Sequence, residues 1–264
     1  MALNFLVFAW VAVIFVMAIA WWWSTKRREA DIVDFCWALS LGLIGPFCAW
    51  SGNGNLEIRL YLALISGIWG IRLSGYLLFS RVLKLGEDGR YAKLRNYWGE
   101  QADRKFFWFF QAQAILVMFL SYSFYLIANA SISEAGLTQR IGLLIGLTAI
   151  VGESVADWQL KGFVSNPANR GLTCRVGLWR YSRHPNYFFE WLHWCSYPLI
   201  AFYSGAAFYA AFVAVFMLLL IIKFSGIPPT EKRALISRRD YQDYMNSTPL
   251  FWPWFPKKVS SKCK

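Results

Sequence analysis

The segment Gly177-Leu178-Trp179-Arg180-Tyr181-Ser182-Arg183-His184-Pro185-Asn186-Tyr187-Phe188-Phe189-Glu190-Trp191 drives two arginines, a histidine, an amide and a carboxylate directly into an apolar run. Ionisable groups at such a depth are costly to bury and usually functional. Pro185 has no amide donor to lose and a fixed backbone angle, so it suits the first turn of a helix. Asn186 and Glu190 then lie four residues apart on one helical face. This predicts a polar ligand site at the mouth of a membrane helix. The alternative is an interfacial anchor whose Arg, His and Tyr side chains meet only headgroups.

Other polar residues fall inside apolar stretches. Trp69, Arg72 and Tyr76 share a stripe at three- and four-residue steps, with Arg81 where the helix leaves the membrane. Arg72 needs an anionic partner, either a carboxylate on another helix or the phosphates of a nucleotide, which suit its planar fork of donors. Glu153, Asp157 and Lys161 follow one another at four-residue intervals. Asp157 and Lys161 can neutralise each other, whereas Glu153, a turn deeper, must be protonated or meet an arginine such as Arg72. Asp34 is the deeper of Asp31 and Asp34 and a candidate acid at the bottom of a cavity, while Asp31 reads as interfacial. Gln111 and Gln113 suit hydrogen bonds between helices, and His193 reads as a core residue. The polar turn from Gly86 to Arg95 reads as a basic, headgroup-facing stretch.

The elements that must position these groups are helices. Of 264 residues, 57% are hydrophobic and only 16% charged, against about a quarter charged in soluble domains. Runs long enough to cross a hydrocarbon core occupy 4–23, 32–50, 57–80, 106–129, 140–161, 185–203 and 205–224, which predicts an all-α polytopic membrane bundle of about seven helices. No Ser/Gly-rich linker divides the chain, so one integral membrane domain over 1–264 is expected. The first run lacks a basic leader and a small-residue cleavage site, so it is expected as a retained anchor.

The formal net charge of +12 invites nucleic acid, but the basic residues concentrate in alternate connections. Lys26, Arg27 and Arg28, then 81–105, 161–184 and the tail after 225 are rich; 51–55, 130–139 and 204–206 are poor. The positive-inside rule therefore places the N-terminus outside and the C-terminus in the cytoplasm, and membrane lipid replaces nucleic acid as the expected partner. The cysteines at 36, 48, 174, 195 and 263 lack metal-ligand spacing, so no metal is expected. Neither a Gly-x-Gly-x-x-Gly turn nor a Walker sequence is present.

The residues resemble the steroid 5α-reductase-like integral membrane proteins, in particular their bacterial branch. The resemblance covers about three quarters of the chain and rests on several segments. Most specific is Gly177 to Tyr187 with Glu190, similar to the portion of those reductases that holds NADPH from the cytoplasmic side. It implies that Asn186 and Glu190 touch the nicotinamide end, that Asp157 and Lys161 stand near the adenosine and phosphate end, that Arg72, Arg81, Lys161, Arg175 and Arg183 neutralise phosphates, and that His184 is among the cofactor-binding residues. Trp69-Gly70-Ile71-Arg72 with Tyr76 and Arg81 resembles a Tyr-x-x-Arg-x-x-x-Tyr helix whose Arg and second Tyr reach the cofactor. Ser225-Gly226-Ile227-Pro228-Pro229-Thr230-Glu231, then Asp240, Tyr241 and Tyr244, looks like the closing motif, with Glu231 near a polar cofactor contact. One departure is Trp69, which stands where those enzymes carry a tyrosine that acts with a glutamate on the substrate carbonyl.

The resemblance implies an NADPH-dependent reductase of an activated double bond in a small hydrophobic, steroid-like or other lipid substrate, with residues 140–256 carrying the cofactor. Candidates for the acid are Asp34, Glu153 and Tyr76. A bacterial inner membrane is the expected location, or the endoplasmic reticulum in a eukaryote. Two rivals remain: an S-adenosylmethionine-dependent membrane methyltransferase of the isoprenylcysteine or phospholipid type, which shares an Arg-His-Pro-x-Tyr segment, and a non-enzymatic lipid-binding protein.

Overall fold

The computed structural model describes residues 2–84 and 86–257. These form α1 (Ala2–Arg27), α2 (Ile32–Ser51), α3 (Leu56–Leu77), α4 (Gly89–Trp98), α5 (Ala102–Ala128), α6 (Leu137–Ser165), α7 (Pro185–Ile200), α8 (Ala206–Leu219), α9 (Ile227–Ser237) and α10 (Tyr241–Ser247). No strand occurs among the described residues. Single π-helical turns, Leu78–Val82 and Leu220–Phe224, extend α3 and α8. The architecture is the expected all-α one.

Six stretches among the described residues are long and apolar enough to cross a membrane: Leu3–Arg27, Ile32–Ser51, Leu56–Val82, Gly89–Ala128, Leu137–Ser165 and Ala206–Ser237. The chain is by this measure an integral membrane protein. The seventh expected crossing, 185–203, is α7 and has only 16 residues. At 1.5 Å per residue it reaches about 24 Å, short of a core of about 30 Å.

Contacts group the chain into two compact units: residues up to Leu143 with Tyr197–Ala210, and Leu144–Ser196 with the chain from Ala211. The divisions fall within α6, α7 and α8.

In the first unit α2 and α3 pack closely because small residues face each other. A Cβ placed on Gly70 would stand 2.1 Å from the Gly42 Cα, and one on Gly45 would meet the Ser66 side chain at 2.0 Å. Without a hydrophobic drive between helices in lipid, such backbone proximity supplies the dispersion contact. Asn55 starts α3 by accepting from the amides of Glu57 (2.9 Å) and Ile58 (3.3 Å). The α1 indoles tie that helix to α5, Trp10 donating to Ser121 Oγ at 3.0 Å and Trp21 to the Asp103 carbonyl at 2.8 Å.

In the second unit Phe189 lies on α6 at Gly152, where a Cβ would come within 2.4 Å of its ring. Trp191 ties α7 to α8 through an N–H bond to the Ala214 carbonyl at 3.1 Å.

Gly70→Leu is expected to lower stability by about 1–3 kcal/mol through overpacking, whereas Gly75→Ala, with nothing within 4 Å of the added Cβ, should be neutral or slightly stabilising. Thermal melts of both variants in detergent check this; equal melts would show that the close approach is unimportant.

Candidate functional site

The polar segment ahead of α7 folds against the second unit's C-terminal part through a web of hydrogen bonds. Gly177 adopts a positive φ of 55° with the Gln159 side chain packed against its Cα, and Gln159 Oε1 accepts from the Leu178 amide at 2.9 Å. Trp179 then buries its indole, donating to the Ala156 carbonyl on α6 at 2.9 Å. Ser182 Oγ donates to the Phe251 carbonyl (2.8 Å) and accepts from the His184 amide (3.1 Å), which fixes the chain just before Pro185. Tyr244 on α10 donates to the carbonyls of Trp179 and Ser182.

Glu231 on α9 is the hub of this web. Its Oε1 accepts from Arg183 Nε at 2.8 Å and Tyr241 OH at 3.2 Å, and faces His184 Nε2 at 3.3 Å. Arg183 Nη1 also donates to the carbonyls of Met245 (2.9 Å) and Thr248 (3.2 Å). The sequence reading set Arg183, His184 and Glu231 together at a cofactor; the structure brings the three side chains together and also bonds Arg183 to backbone. His184 is buried and stacked on Tyr187 at 5.5 Å between centroids. Burial depresses its pKa below the usual histidine value, with the bond and charge of Glu231 opposing the shift and Arg183 adding to it.

Below this web the inward stripe of α7 begins. Asn186 Nδ2 donates to Asp157 Oδ1 on α6 at 3.3 Å, which brings two of the sequence-predicted residues together. Glu190, a turn deeper and only 8% exposed, accepts from Trp194 Nε1 at 3.0 Å. Asp157 and Glu153 are both buried, whereas Lys161, the next residue on the α6 stripe, is exposed. Arg175 stands apart from this stripe, 3.5 Å from Asp240 Oδ2, with its Nη2 on the Asp240 carbonyl at 2.8 Å. Thr173, which pins Asp240 Oδ1 at 2.7 Å, Gln159 and Trp194 are positioning residues that sequence spacing alone did not single out.

The first unit holds a second web. Asp34 Oδ2 accepts from Arg81 Nη1 and Arg90 Nη2, both at 2.8 Å, and Oδ1 from Tyr91 OH at 2.6 Å. Both oxygens of Asp34 are thus taken by donors within this unit, and Arg81 is one of its ion-pair partners. The π turn Leu78–Val82 carries Arg81 to this position. Around it Glu87 accepts from the Ala30 amide (2.9 Å) and from Arg95 (2.8 and 3.1 Å), and Asp31 Oδ2 accepts from the Asp88 amide at 3.0 Å. The stretch expected to face headgroups is thus turned inward, and Asp31, expected as interfacial, is 4% exposed. Burial raises its pKa. The alternation of acids and arginines over 87–95 was the available signal for this web.

Arg72 and Tyr76 share a face of α3 as spacing predicted, the guanidinium carbon lying 5.8 Å from the Tyr76 ring centroid. Trp69 is fully buried and edge-on to Trp37 at 5.9 Å. Arg72 and Glu153, read as possible partners, belong to different units. Cys36, Cys48, Cys174 and Cys195 are free thiols; Cys263 lies outside the described residues. Among the described residues no group of three or more His, Cys, Asp or Glu is placed to hold a metal ion.

A family model described as "Protein of unknown function (DUF1295)" matches residues 20–248. The chain belongs to this family. No curated protein and no solved structure matches the chain. The match takes in Asp34, Arg81, Arg183, Glu231 and the Asp157, Asn186 and Glu190 stripe, whereas Phe251 lies just beyond it.

Glu231→Ala would strand Arg183 and Tyr241 and is expected to cost about 1–3 kcal/mol, read as a drop in melting temperature; an unchanged melt would remove Glu231 as a hub. Because His184 has a depressed folded pKa, the unfolded chain binds its proton first. Stability is then full above about pH 6.5 and falls as pH drops below it towards the folded value. His184→Gln should flatten the pH dependence of the melt over that window, and an unaltered slope would contradict the assignment.

Proposed function

We propose that the chain is a membrane-embedded NADPH-dependent reductase of an activated C=C bond in a steroid-like or other lipid substrate, a member of the steroid 5α-reductase-like group in its chemistry. The supporting observation is the contact of Asn186 with Asp157 on a helix whose next inward polar group is the buried Glu190. An amide and two carboxylates at successive depths match a carboxamide and ribose hydroxyls, which need both acceptors and donors.

The donor set fits the nicotinamide half of a dinucleotide better than its phosphates, since Arg183 and Arg81 are spent on Glu231 and Asp34. Lys161, exposed one turn beyond Asp157, is a cation available to phosphates in the second unit. When bound, the cofactor supplies the hydride. Asn186 and Glu190 orient the carboxamide, and the Trp194 N–H holds the plane of the Glu190 carboxylate so that little reorganisation is needed on binding. Trp69, which stands where the resemblance has a tyrosine, has no proton to give in ordinary acid–base chemistry.

Thermal stabilisation of detergent-purified protein tests the reading. NADPH at about a hundred times its dissociation constant should add roughly 2.7 kcal/mol, an effect lost in the Asn186→Ala, Glu190→Ala double variant. Stabilisation by S-adenosylmethionine instead would assign the fold to methyl transfer, and indifference to both would favour lipid binding without chemistry.

A further inference from the structure

Where α1 ends and α5 begins in the first unit, a shallow cleft of about 450 Å³ is lined by Trp21, Arg104, Phe107 and Trp108. Arg104, Phe107 and Trp108 stand at i, i+3 and i+4 of α5 and so share one stripe. Trp21 reaches them from α1, its indole locked by the N–H bond to the Asp103 carbonyl at 2.8 Å and packed edge-on to Phe107 at 5.1 Å. The walls are therefore three aromatic rings, two of them fixed against each other, with one guanidinium at the mouth.

The surroundings are basic. Lys105 follows Arg104, Lys26 lies in the last turn of α1 and Arg28 just after it; all four cations are exposed. The acid nearest in sequence, Asp103, has its carboxylate 3.4 Å from Arg95 Nη1. Arg104 makes no hydrogen bond or ion pair among the described residues, so its charge is not committed to the fold. Further along the stripe Ile115 is exposed. Reading down the stripe gives a cation, an aromatic cradle and an apolar track.

The geometry points to this cleft as a binding site for an anionic phospholipid. Its phosphate meets Arg104, its glycerol lies against Trp21 and Trp108, and an acyl chain follows Ile115. A free phosphate would satisfy Arg104 but leave the aromatic walls wet, so the apolar chain supplies the remaining contact. A zwitterionic lipid would gain the walls but bring a second cation into a basic neighbourhood.

Native mass spectrometry of the full chain in detergent tests this with three probes: phosphatidylglycerol, phosphatidylcholine of the same chains, and soluble glycerol phosphate. Phosphatidylglycerol should be retained about fivefold or more over phosphatidylcholine, the scale of one basic residue near a lipid surface. Arg104→Ala should remove that preference, and Arg104→Lys should restore most of it. Trp108→Ala should weaken both lipids together. Both side chains changed, Arg104 and Trp108, are exposed in the wild type, and an unaltered melt in lipid-free detergent confirms folding. Equal retention of the two lipids, or an Arg104→Ala chain that keeps the preference, would overturn the site. Competition by glycerol phosphate at concentrations matching the lipid would overturn the lipid as its occupant.

Discussion

A carboxylate placed among apolar helices must be met by donors or lose its charge, and Glu231 shows how much of a fold one such requirement can organise. Its oxygen draws Arg183 and His184 from the start of α7 and Tyr241 from α10. Arg183 extends the web to the carbonyls at the end of α10. The entry angle of α7 is thereby fixed from two sides: Ser182 is held by Phe251 and Tyr244 from above, and Trp179 is held by α6 from the flank. Charge-assisted bonds of this sort are roughly twice as strong as neutral ones, and the orientation they set is inherited by Asn186 and Glu190 a turn later.

Asp34 does for the first unit what Glu231 does for the second, by the same chemistry. Each acid takes arginine and a tyrosine hydroxyl, and each gathers a short helix against the end of longer ones: α4 through Arg90 and Tyr91, α10 through Tyr241. In both cases the acid and the arginines are separated by more than forty residues. The consequence for function is subtractive. Arg81, Arg90 and Arg183 are already engaged by acids of the fold, whereas exposed arginines such as Arg104 are not.

Legibility in the sequence followed the range of the interaction. Helices and their faces depend on neighbours three and four residues away, so hydropathy located α1 to α3, α5, α6 and α8 within a few residues, and the stripe of Asn186 and Glu190 was visible from spacing. The proline start of α7 was legible for the same reason. Ion pairs are set by which helices meet, and that is a tertiary fact. Asp34 therefore looked like a buried acid when read alone, and Arg183 like a phosphate ligand. Residues 86–95 were read as a headgroup-facing surface because their composition is polar, yet the carboxylates of Glu29, Asp31 and Asp34 on the preceding segment turn them inward. Trp69 and Trp37 were legible as aromatic but not as edge-to-face partners.

The length of α7 follows from the same economy of charge. It carries Asn186, Glu190, His193 and Ser196 along one side, the last three buried, and no residue of the helix is exposed. A helix facing lipid must match the hydrocarbon thickness and present apolar side chains to it, as α1 does with Phe8, Phe15, Ile19 and Trp22 exposed. A helix sheltered by protein is released from both demands, provided its ends are satisfied. The α7 C-terminus meets that condition: the Tyr197 carbonyl accepts from the Ala201 amide at 2.9 Å, the Leu199 carbonyl from Phe202 at 3.2 Å, and the Phe202 carbonyl from the Gln139 side chain at 2.8 Å. Polar side chains and a 16-residue length therefore have one cause. The sheltered position that permits a carboxylate at Glu190 also permits a helix too short to span, and it makes α7 the segment best able to present polar groups to a ligand without exposing them to lipid.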